Sequence, residues 1–338
     1  MRILIIGGTR FVGRHITEAA IAAGHEVSLL HRGRTGPELF PEVEHLRADR
    51  NTDLSVLRGR RWDVTIDVSA YLPSQVVSLA EAVSTGQYVF VSSTAVYAVP
   101  RAPGFTEDSA LTEIDGPVPE KVTVETYGAL KVLCERAAVD RFGPATLIVR
   151  PTYVIGPYDY TGRFTYWVNR IARGGEVLAP GDPSDPIQVI DGRDMAAWIV
   201  AMTEKANADE APATRRKAGS GVFHAVSPAP PFSFGDMLEA IVAEVGPPGT
   251  TLTWVGQDFL LAEGENGTSL PLWSEGEEGS AVNTADPAAA TAAGLGPRPF
   301  GRSVREIRQS EASFSTSTTI SPDREAELLA RWRSRARG

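Results

Sequence analysis

Through its first 150 residues the chain alternates short β-branched runs with longer amphipathic segments, the pattern of βαβ units around a parallel sheet. Strands are expected at Ile3–Ile6, Val27–Leu30, Val43–Leu46, Val64–Val68, Tyr88–Val91 and Thr146–Val149. Helices fit between them at Val12–Ala23 after a Gly-rich turn, at Ser74–Val83 after Pro73, and at Thr126–Phe142, where Gly143-Pro144 stops the winding. Six strands with crossovers predict an α/β fold, a doubly wound parallel Rossmann sheet.

After Arg150-Pro151 the alternation weakens, and Gly, Pro and aromatic residues become denser through GPYDYTGRFTYW and RGGEVLAPGDPSDP. Loop-rich sequence of this kind suits a substrate lobe. Two later pieces, IQVIDGRDMAAWIVAM and GVFHAVS, regain strand or strand-helix character and are expected to return to the first lobe. The predicted division is a dinucleotide-binding Rossmann domain over 1–175 with returns near 186–204 and 220–227, and a smaller, interleaved C-terminal substrate lobe over 152–185 and 228–338. NADEAPATRRKAGSG reads as a mobile polar loop, and GENGTSLPLWSEGEEGSA as a Gly/Glu-rich excursion around an apolar LPLW.

Two lobes also follow from length, because 338 residues exceed what one hydrophobic core usually organises. No apolar run approaches the roughly 18 residues that span a bilayer, and MRILIIGGTR has no cleavage-type site. A cytoplasmic protein without a membrane partner is expected. The net charge of -9 argues against a nucleic-acid surface, which needs clustered Lys and Arg. Cys134 is the one cysteine, so an internal disulfide and a thiol-rich metal site are excluded. His15, His25, His31, His45 and His224 lack metal-ligand spacing, and no metal is expected.

The first strand runs into Gly7-Gly8-Thr9-Arg10-Phe11-Val12-Gly13 and then a helix. In such a turn Gly7, Thr9, Arg10, Phe11 and Val12 bring backbone N–H groups and a helix dipole to a pyrophosphate, while Gly13 permits close helix–strand packing. An ordinary strand-to-helix turn is the competing reading. NAD enzymes of this kind place an acidic residue at the end of the second strand to hold the ribose diol. Here that place reads Leu30-His31-Arg32, and a cation suits a 2'-phosphate, so NADP is expected with NAD as the alternative. Arg32 and Arg34 could equally be solvated loop residues. Asp49 is placed to meet the adenine amino group or to serve a loop.

Tyr127 and Lys131 lie four residues apart in a predicted helix, on one face and one turn apart. Lys131 is expected to depress the phenol pKa toward working pH and to bind the nicotinamide ribose. In VFVSSTAVY an apolar strand ends in Ser92-Ser93-Thr94 at the sheet's C-terminal rim, where open α/β sheets bind ligands. A hydroxyl there steadies charge on a substrate oxygen.

With GGTRFVG, VFVSSTAVY, YGALKVLCE, VRPTYVIGP and PIQVIDGRDMA in this order, the chain resembles the extended short-chain dehydrogenase/reductases, the superfamily of nucleotide-sugar epimerases and dehydratases. Arg10, where a glycine is usual, resembles that superfamily's atypical GGTRF branch. The resemblance implies Ser93 as the catalytic hydroxyl, Tyr127 as acid/base and Lys131 as cofactor-orienting ammonium. It further implies that Val68, Ser69 and Ala70 line the cofactor, that Pro151 and Thr152 lie near the nicotinamide, and that the protein is a homodimer. Tyr153 replaces an Asn that commonly grips a nucleotide sugar, and Thr94-Ala95 replaces the acidic pair of 4,6-dehydratases, which disfavours elimination. Substrate contacts are expected from Ser93, Thr94, Tyr153 and Arg163. Arg163, Tyr166 and Trp167 either line the same cleft or pack its floor, and Asp191 and Asp194 read as helix N-caps ahead of substrate contact.

The expected activity is hydride transfer between a nicotinamide and the secondary alcohol or ketone of a polar, sugar- or cyclitol-like small molecule. The alternatives are an epimerase that keeps its cofactor and a non-catalytic, cofactor-binding regulator or RNA-associated protein.

Overall fold

Strand β1 (Arg2–Ile6) turns Ile3 and Ile5 to one face and Leu4 and Ile6 to the other, and all four are buried. Burial on both faces requires helices on both faces, and the chain supplies them. With Ile3 and Ile5 pack Ile16 and Ala20 of α1 (Phe11–Ala22); with Leu4 and Ile6 pack Val76 and Leu79 of α2 (Pro73–Ala82) and Cys134 and Ala138 of α3 (Val124–Phe142). The computed structural model describes residues 1–211, 214–226, 232–310 and 318–335.

Around β1 assemble β2 (Glu26–His31), β3 (Glu44–Arg47), β4 (Arg61–Asp67), β5 (Ser84–Val91) and β6 (Leu147–Pro151). The sheet is parallel and ordered 3-2-1-4-5-6, the doubly wound arrangement anticipated from the alternation. Strand β5 begins four residues before the expected Tyr88. Its polar start, Ser84-Thr85-Gly86-Gln87, has no strand pattern of its own and is held by pairing with β4, Arg61 opposite Ser84 and Trp62 opposite Thr85.

Beyond β6 come β7 (Tyr153–Ile155), α4 (Arg163–Ala172), β8 (Glu176–Pro180), β9 (Val189–Asp191) and α5 (Gly192–Ala208). Strand β9 pairs with β7 apart from the large sheet, whereas Met195, Trp198 and Ile199 of α5 join the core on the Ile3/Ile5 face. Strand β10 (Gly221–Ala225) then adds a seventh strand beside β6. Ser227, in the expected 220–227 return, lies outside the described residues, as do 212–213 of the polar loop and 228–231, 311–317 and 336–338 of the expected C-terminal lobe.

A separate core gathers Phe164, Trp167 and Val168 of α4 with Met237, Leu238 and Ile241 of α6 (Phe234–Val245). β11 (Thr251–Val255) pairs with β8 beside it, and Leu328 and Leu329 of the helix Pro322–Arg335 close it from outside. Trp167 is fully buried and its indole N–H donates to the Pro271 carbonyl at 2.6 Å. Of the two readings open for Tyr166 and Trp167, packing is the one realised: Tyr166 lies edge to face against Trp167 at 4.9 Å.

One buried ion pair anchors the sheet's C-terminal edge. Asp67, the last residue of β4, is fully buried and receives both terminal nitrogens of Arg50 at 2.7 Å, with the Tyr88 hydroxyl donating at 2.9 Å. Burial works to raise the Asp67 pKa, but the Arg50 charge and its hydrogen bonds outweigh it and hold the carboxyl below its usual range. Removing one partner leaves the other charge buried and uncompensated. Arg50→Met is therefore expected to destabilise the fold by about 3–5 kcal/mol in urea titrations; a loss below about 1 kcal/mol contradicts this account.

Candidate active site

Two backbone contacts shape the site, and both need glycine. A Cβ on Gly13 would lie 2.1 Å from the Gly7 carbonyl oxygen, so only glycine lets α1 start against the turn after β1. A Cβ on Gly128 would lie 2.1 Å from the Ala95 carbonyl oxygen, so the Tyr127-Gly128 pair lets α3 press its backbone onto the turn after β5. The first contact sets the start of α1 beside a cavity that Gly7 and Gly13 both line; the second brings Tyr127 to Ser93.

The cavity, about 480 Å³, lies over the turn. Of the residues expected to hold a cofactor, Gly7, Thr9, Arg10, Phe11, Val12, Arg32, Asp49, Val68 and Ser69 line it, while Ala70, Tyr127, Lys131, Pro151 and Thr152 do not. Arg34 lines it as well, and neither Arg32 nor Arg34 has a carboxylate within ion-pair distance among the described residues. Asp49 accepts from the backbone and side-chain N–H of Asn51 at 3.0 and 2.9 Å. Those bonds, with Arg32 and Arg34 behind them, hold its carboxyl below the usual range.

Sequence reasoning missed Arg50, Asn51, Tyr71, Gln75 and Tyr160 in the same wall. Gln75 caps α2, its oxygen accepting from the backbone of Tyr71 and Leu72 while its nitrogen donates to Asn51. The position three residues into a helix opened by Pro73 carried that signal. Tyr160 had none, since it arrives from the loop before α4. There its ring lies 3.4 Å from the Arg10 guanidinium, and the neighbouring Arg14 lies 3.5 Å from the Tyr158 ring.

Ser93 follows β5 and caps the short turn Thr94–Val96, its hydroxyl accepting from Ala95 N–H at 3.1 Å. The same hydroxyl hydrogen bonds Tyr127, in the first turn of α3. Burial pushes the Tyr127 phenol up to about 12, the neighbouring Tyr71 adds to this, and the Ser93 hydrogen bond opposes it. Lys131 is buried one turn further on and donates to the carbonyls of Val91 at 2.7 Å and Ala70 at 3.1 Å, with its ammonium 4.1 Å from the Phe90 ring. The expected depression of the Tyr127 pKa by Lys131 is not what the geometry gives. The ammonium faces two backbone carbonyls, and the phenol keeps its proton at neutral pH. Tyr71 joins the cavity to Tyr127 and Lys131: it lines the cavity, its ring is 6.3 Å from that of Tyr127, and its centre is 5.5 Å from the Lys131 ammonium.

Beneath Ser93 a buried polar network fixes the turn. Arg150, from β6, forms a two-pronged pair with Glu135 of α3 at 3.0 and 2.6 Å and donates to the Tyr97 hydroxyl at 2.6 Å. Tyr97 donates onward to Nε2 of His224 at 2.5 Å, while Nδ1–H of His224 donates to the Asp286 carbonyl. That chain requires a neutral imidazole, and burial lowers the His224 pKa accordingly.

On the expected substrate side, Tyr153 starts β7 and Arg163 starts α4, with the Arg163 guanidinium 5.0 Å from the Tyr153 ring. Thr94 is buried and donates to the Pro151 carbonyl at 3.4 Å, which turns its hydroxyl to the protein and away from its expected role as a substrate contact. The Thr152 hydroxyl is buried with no hydrogen-bond partner among the described residues. Asp191 caps α5 as expected, accepting from Arg193 N–H at 2.9 Å, whereas Asp194 instead holds Arg298.

Residues 3–214 match the family model described as NAD dependent epimerase/dehydratase family. The chain is 26% identical over 212 residues to the chloroplast stem-loop binding protein of 41 kDa b of Arabidopsis thaliana, covering 58% of this chain and 53%, about half, of that protein's length. It is 27% identical over 237 residues to the isoflavone reductase homolog IRL of Zea mays, covering 70% of this chain and 72% of that one. In fold it is similar to the UDP-glucuronic acid 4-epimerase of Bacillus cereus in complex with NAD, at TM-score 0.64 and 16% identity, covering 93% and 100% of the two chains. A putative epimerase from Burkholderia cenocepacia J2315 is similar at TM-score 0.66 and 20% identity, covering 92% and 98%. With the family model matched over more than half its length, the chain belongs to the NAD dependent epimerase/dehydratase family, within the extended short-chain dehydrogenase/reductase superfamily.

Proposed function

We propose that the protein is an NADP(H)-dependent reductase or dehydrogenase acting on the secondary alcohol or ketone of a polar, sugar- or cyclitol-like small molecule. The observation that carries this is the hydrogen-bonded Ser93 and Tyr127 hydroxyls beside a buried Lys131, joined through Tyr71 to the cavity over the Gly-rich turn.

The residues present fit a dinucleotide. A Cβ on Gly13 would strike the Gly7 carbonyl, so glycine there lets the N-terminus of α1 sit close against the turn, and Thr9, Arg10 and Val12 line the cavity beside it. Bound there, a nicotinamide would supply or accept the hydride. Arg32 and Arg34, with no carboxylate within ion-pair distance among the described residues, line the same wall as Asp49 and favour a 2'-phosphate, which supports NADP over NAD. Tyr127, protonated with its pKa near 12, gives its proton to the oxygen of a ketone as that oxygen gains charge, and Ser93 donates a second hydrogen bond to the same atom. A phenol so poised suits the reducing direction. Lys131 holds the Tyr71 loop and the end of β5 in register with Tyr127 through its two carbonyl contacts.

Epimerisation is the second reading, favoured by the Arg10–Tyr160 stack at the cavity wall, which would help retain a cofactor between two half-reactions. Turnover without added nicotinamide decides for it; stoichiometric consumption of NADPH by a ketone decides for reduction.

In Tyr127→Phe, kcat is expected to fall by about 10²–10⁴ while the NADPH dissociation constant stays within about twofold; equal losses in binding and turnover count against the acid role. NADPH is expected to bind about tenfold or more tightly than NADH, and Arg32→Ala with Arg34→Ala to erase that preference. Preferential binding of NADH by the wild type overturns the cofactor assignment. Lys131 gives a pH signature. Burial lowers its pKa from 10.5 to about 8, so between those values the unfolded chain holds a proton that the folded protein has released. Stability therefore rises with pH across that window, by up to about 3 kcal/mol. Urea unfolding at both ends of the window should show a rise in the wild type that Lys131→Met lacks; equal rises refute the buried-ammonium account.

A further inference from the structure

Two histidines on neighbouring strands have no part in the function proposed above. His31 closes β2 and is buried; His45, on β3, is half-buried, and the two rings meet edge to face with centres 5.0 Å apart. Their hydrogen bonds leave one assignment of protons. Nε2 of His45 lies 3.0 Å from the Phe40 carbonyl, which only accepts, so Nε2 carries the hydrogen and Nδ1 of the neutral ring is an acceptor. That Nδ1 lies 2.8 Å from Nε2 of His31, which therefore donates. The far side of His31 agrees independently, because its Nδ1 accepts the Gly33 N–H at 3.0 Å. An added proton on either ring would set two N–H groups face to face. Burial, with the His45 and Arg47 charges, lowers the His31 pKa and keeps that ring neutral.

The bonds run from outside the cavity to its wall: His31, Arg32, Arg34 and Thr35 line the cavity, whereas His45 and Phe40 do not. Gly33, left-handed at φ 71°, sits between the two arginines with its N–H held by His31. Two residues on, the Thr35 carbonyl accepts from the Thr9 hydroxyl at 2.7 Å, so Arg34 is bracketed by two fixed points. Neither Arg32 nor Arg34 is anchored by an ion pair among the described residues, and their placement rests on this backbone. A carboxylate in place of His31 would also accept from Gly33, but its charge would repel a phosphate; the neutral imidazole supplies the acceptor without the charge. We propose that His45, acting through His31, is a positioning residue for cofactor selection: from outside the cavity it fixes the loop that holds Arg32 and Arg34 where a 2'-phosphate is read. The inference rests on the NADP reading of those arginines and names the residue that acts behind them.

The test is titration of the wild type, His45→Leu and His45→Asn with NADPH and with NADH at neutral pH. In His45→Leu, NADPH is expected to bind about fivefold or more weakly while NADH stays within about twofold. His45→Asn, which puts an amide oxygen at the Nδ1 position, is expected to keep NADPH affinity within about twofold of the wild type. His45→Ala answers the same question should the leucine variant not fold. Long-range proton–nitrogen NMR spectra of the wild type should show both rings as neutral Nε2–H tautomers. Equal losses for the two nucleotides, no loss for either, failure of asparagine to rescue, or an Nδ1–H ring at either position overturns the inference. If the wild type does not prefer NADPH, the NADP reading falls and the positioning role with it. If it does, and Arg32→Ala with Arg34→Ala erases the preference while the His45 variants leave it intact, only the positioning role falls.

Discussion

The ammonium of Lys131, set between the carbonyls of Ala70 and Val91, is the interaction on which the C-terminal edge of the sheet depends. It ties the loop after β4, the end of β5 and the second turn of α3 into one piece. Burying a primary ammonium is unfavourable, and two carbonyl dipoles and the Phe90 face offset only part of that cost, as the lowered pKa records. The return is positional. With Lys131 fixed, Tyr127 one turn before it is fixed too, and the Gly128 contact with Ala95 leaves α3 little freedom to slide.

The neighbouring strand ends are built by the same principle. β4 ends in Asp67, clasped by Arg50; β6 carries Arg150, clasped by Glu135 and joined through Tyr97 to His224. Two ion pairs and the Lys131 ammonium thus stand along one edge of a sheet whose interior is aliphatic. Such pairs add little net stability compared with apolar packing, but each admits few geometries. The edge is rigid because its alternatives are so unfavourable.

Much of this was legible in the sequence. Ile3 to Ile6 is apolar at every position, so β1 had to be a central strand, and the four-residue step from Tyr127 to Lys131 placed both on one helical face. What the spacing could not convey was where the ammonium points. A helical face fixes Cβ directions, while Nζ sits four carbons further out and settles on whichever carbonyls tertiary packing brings near. The same reason hid Tyr160, whose approach to Arg10 depends on how the loop before α4 folds back across the sheet. Trp167 was ambiguous because an aromatic stretch can line a cleft or fill a core, and only the Pro271 carbonyl decides the matter. The polar opening of β5 escaped notice because backbone pairing with β4, which no side-chain pattern encodes, keeps it extended.

Strand β10 enters the large sheet only after the chain has built β7, β8 and β9 elsewhere. Until residues 221–225 arrive, β6 stands as an open edge with backbone N–H and C=O groups between Leu147 and Arg150 left unpaired on that side. On a ribosome that interval spans some 70 residues of synthesis, during which the nascent sheet offers a template to other chains. Cutting the gene after β6 would therefore leave a fragment with an open sheet edge rather than an independent module, so the segment through residue 225 has to be inherited, expressed and engineered with the strands that precede it.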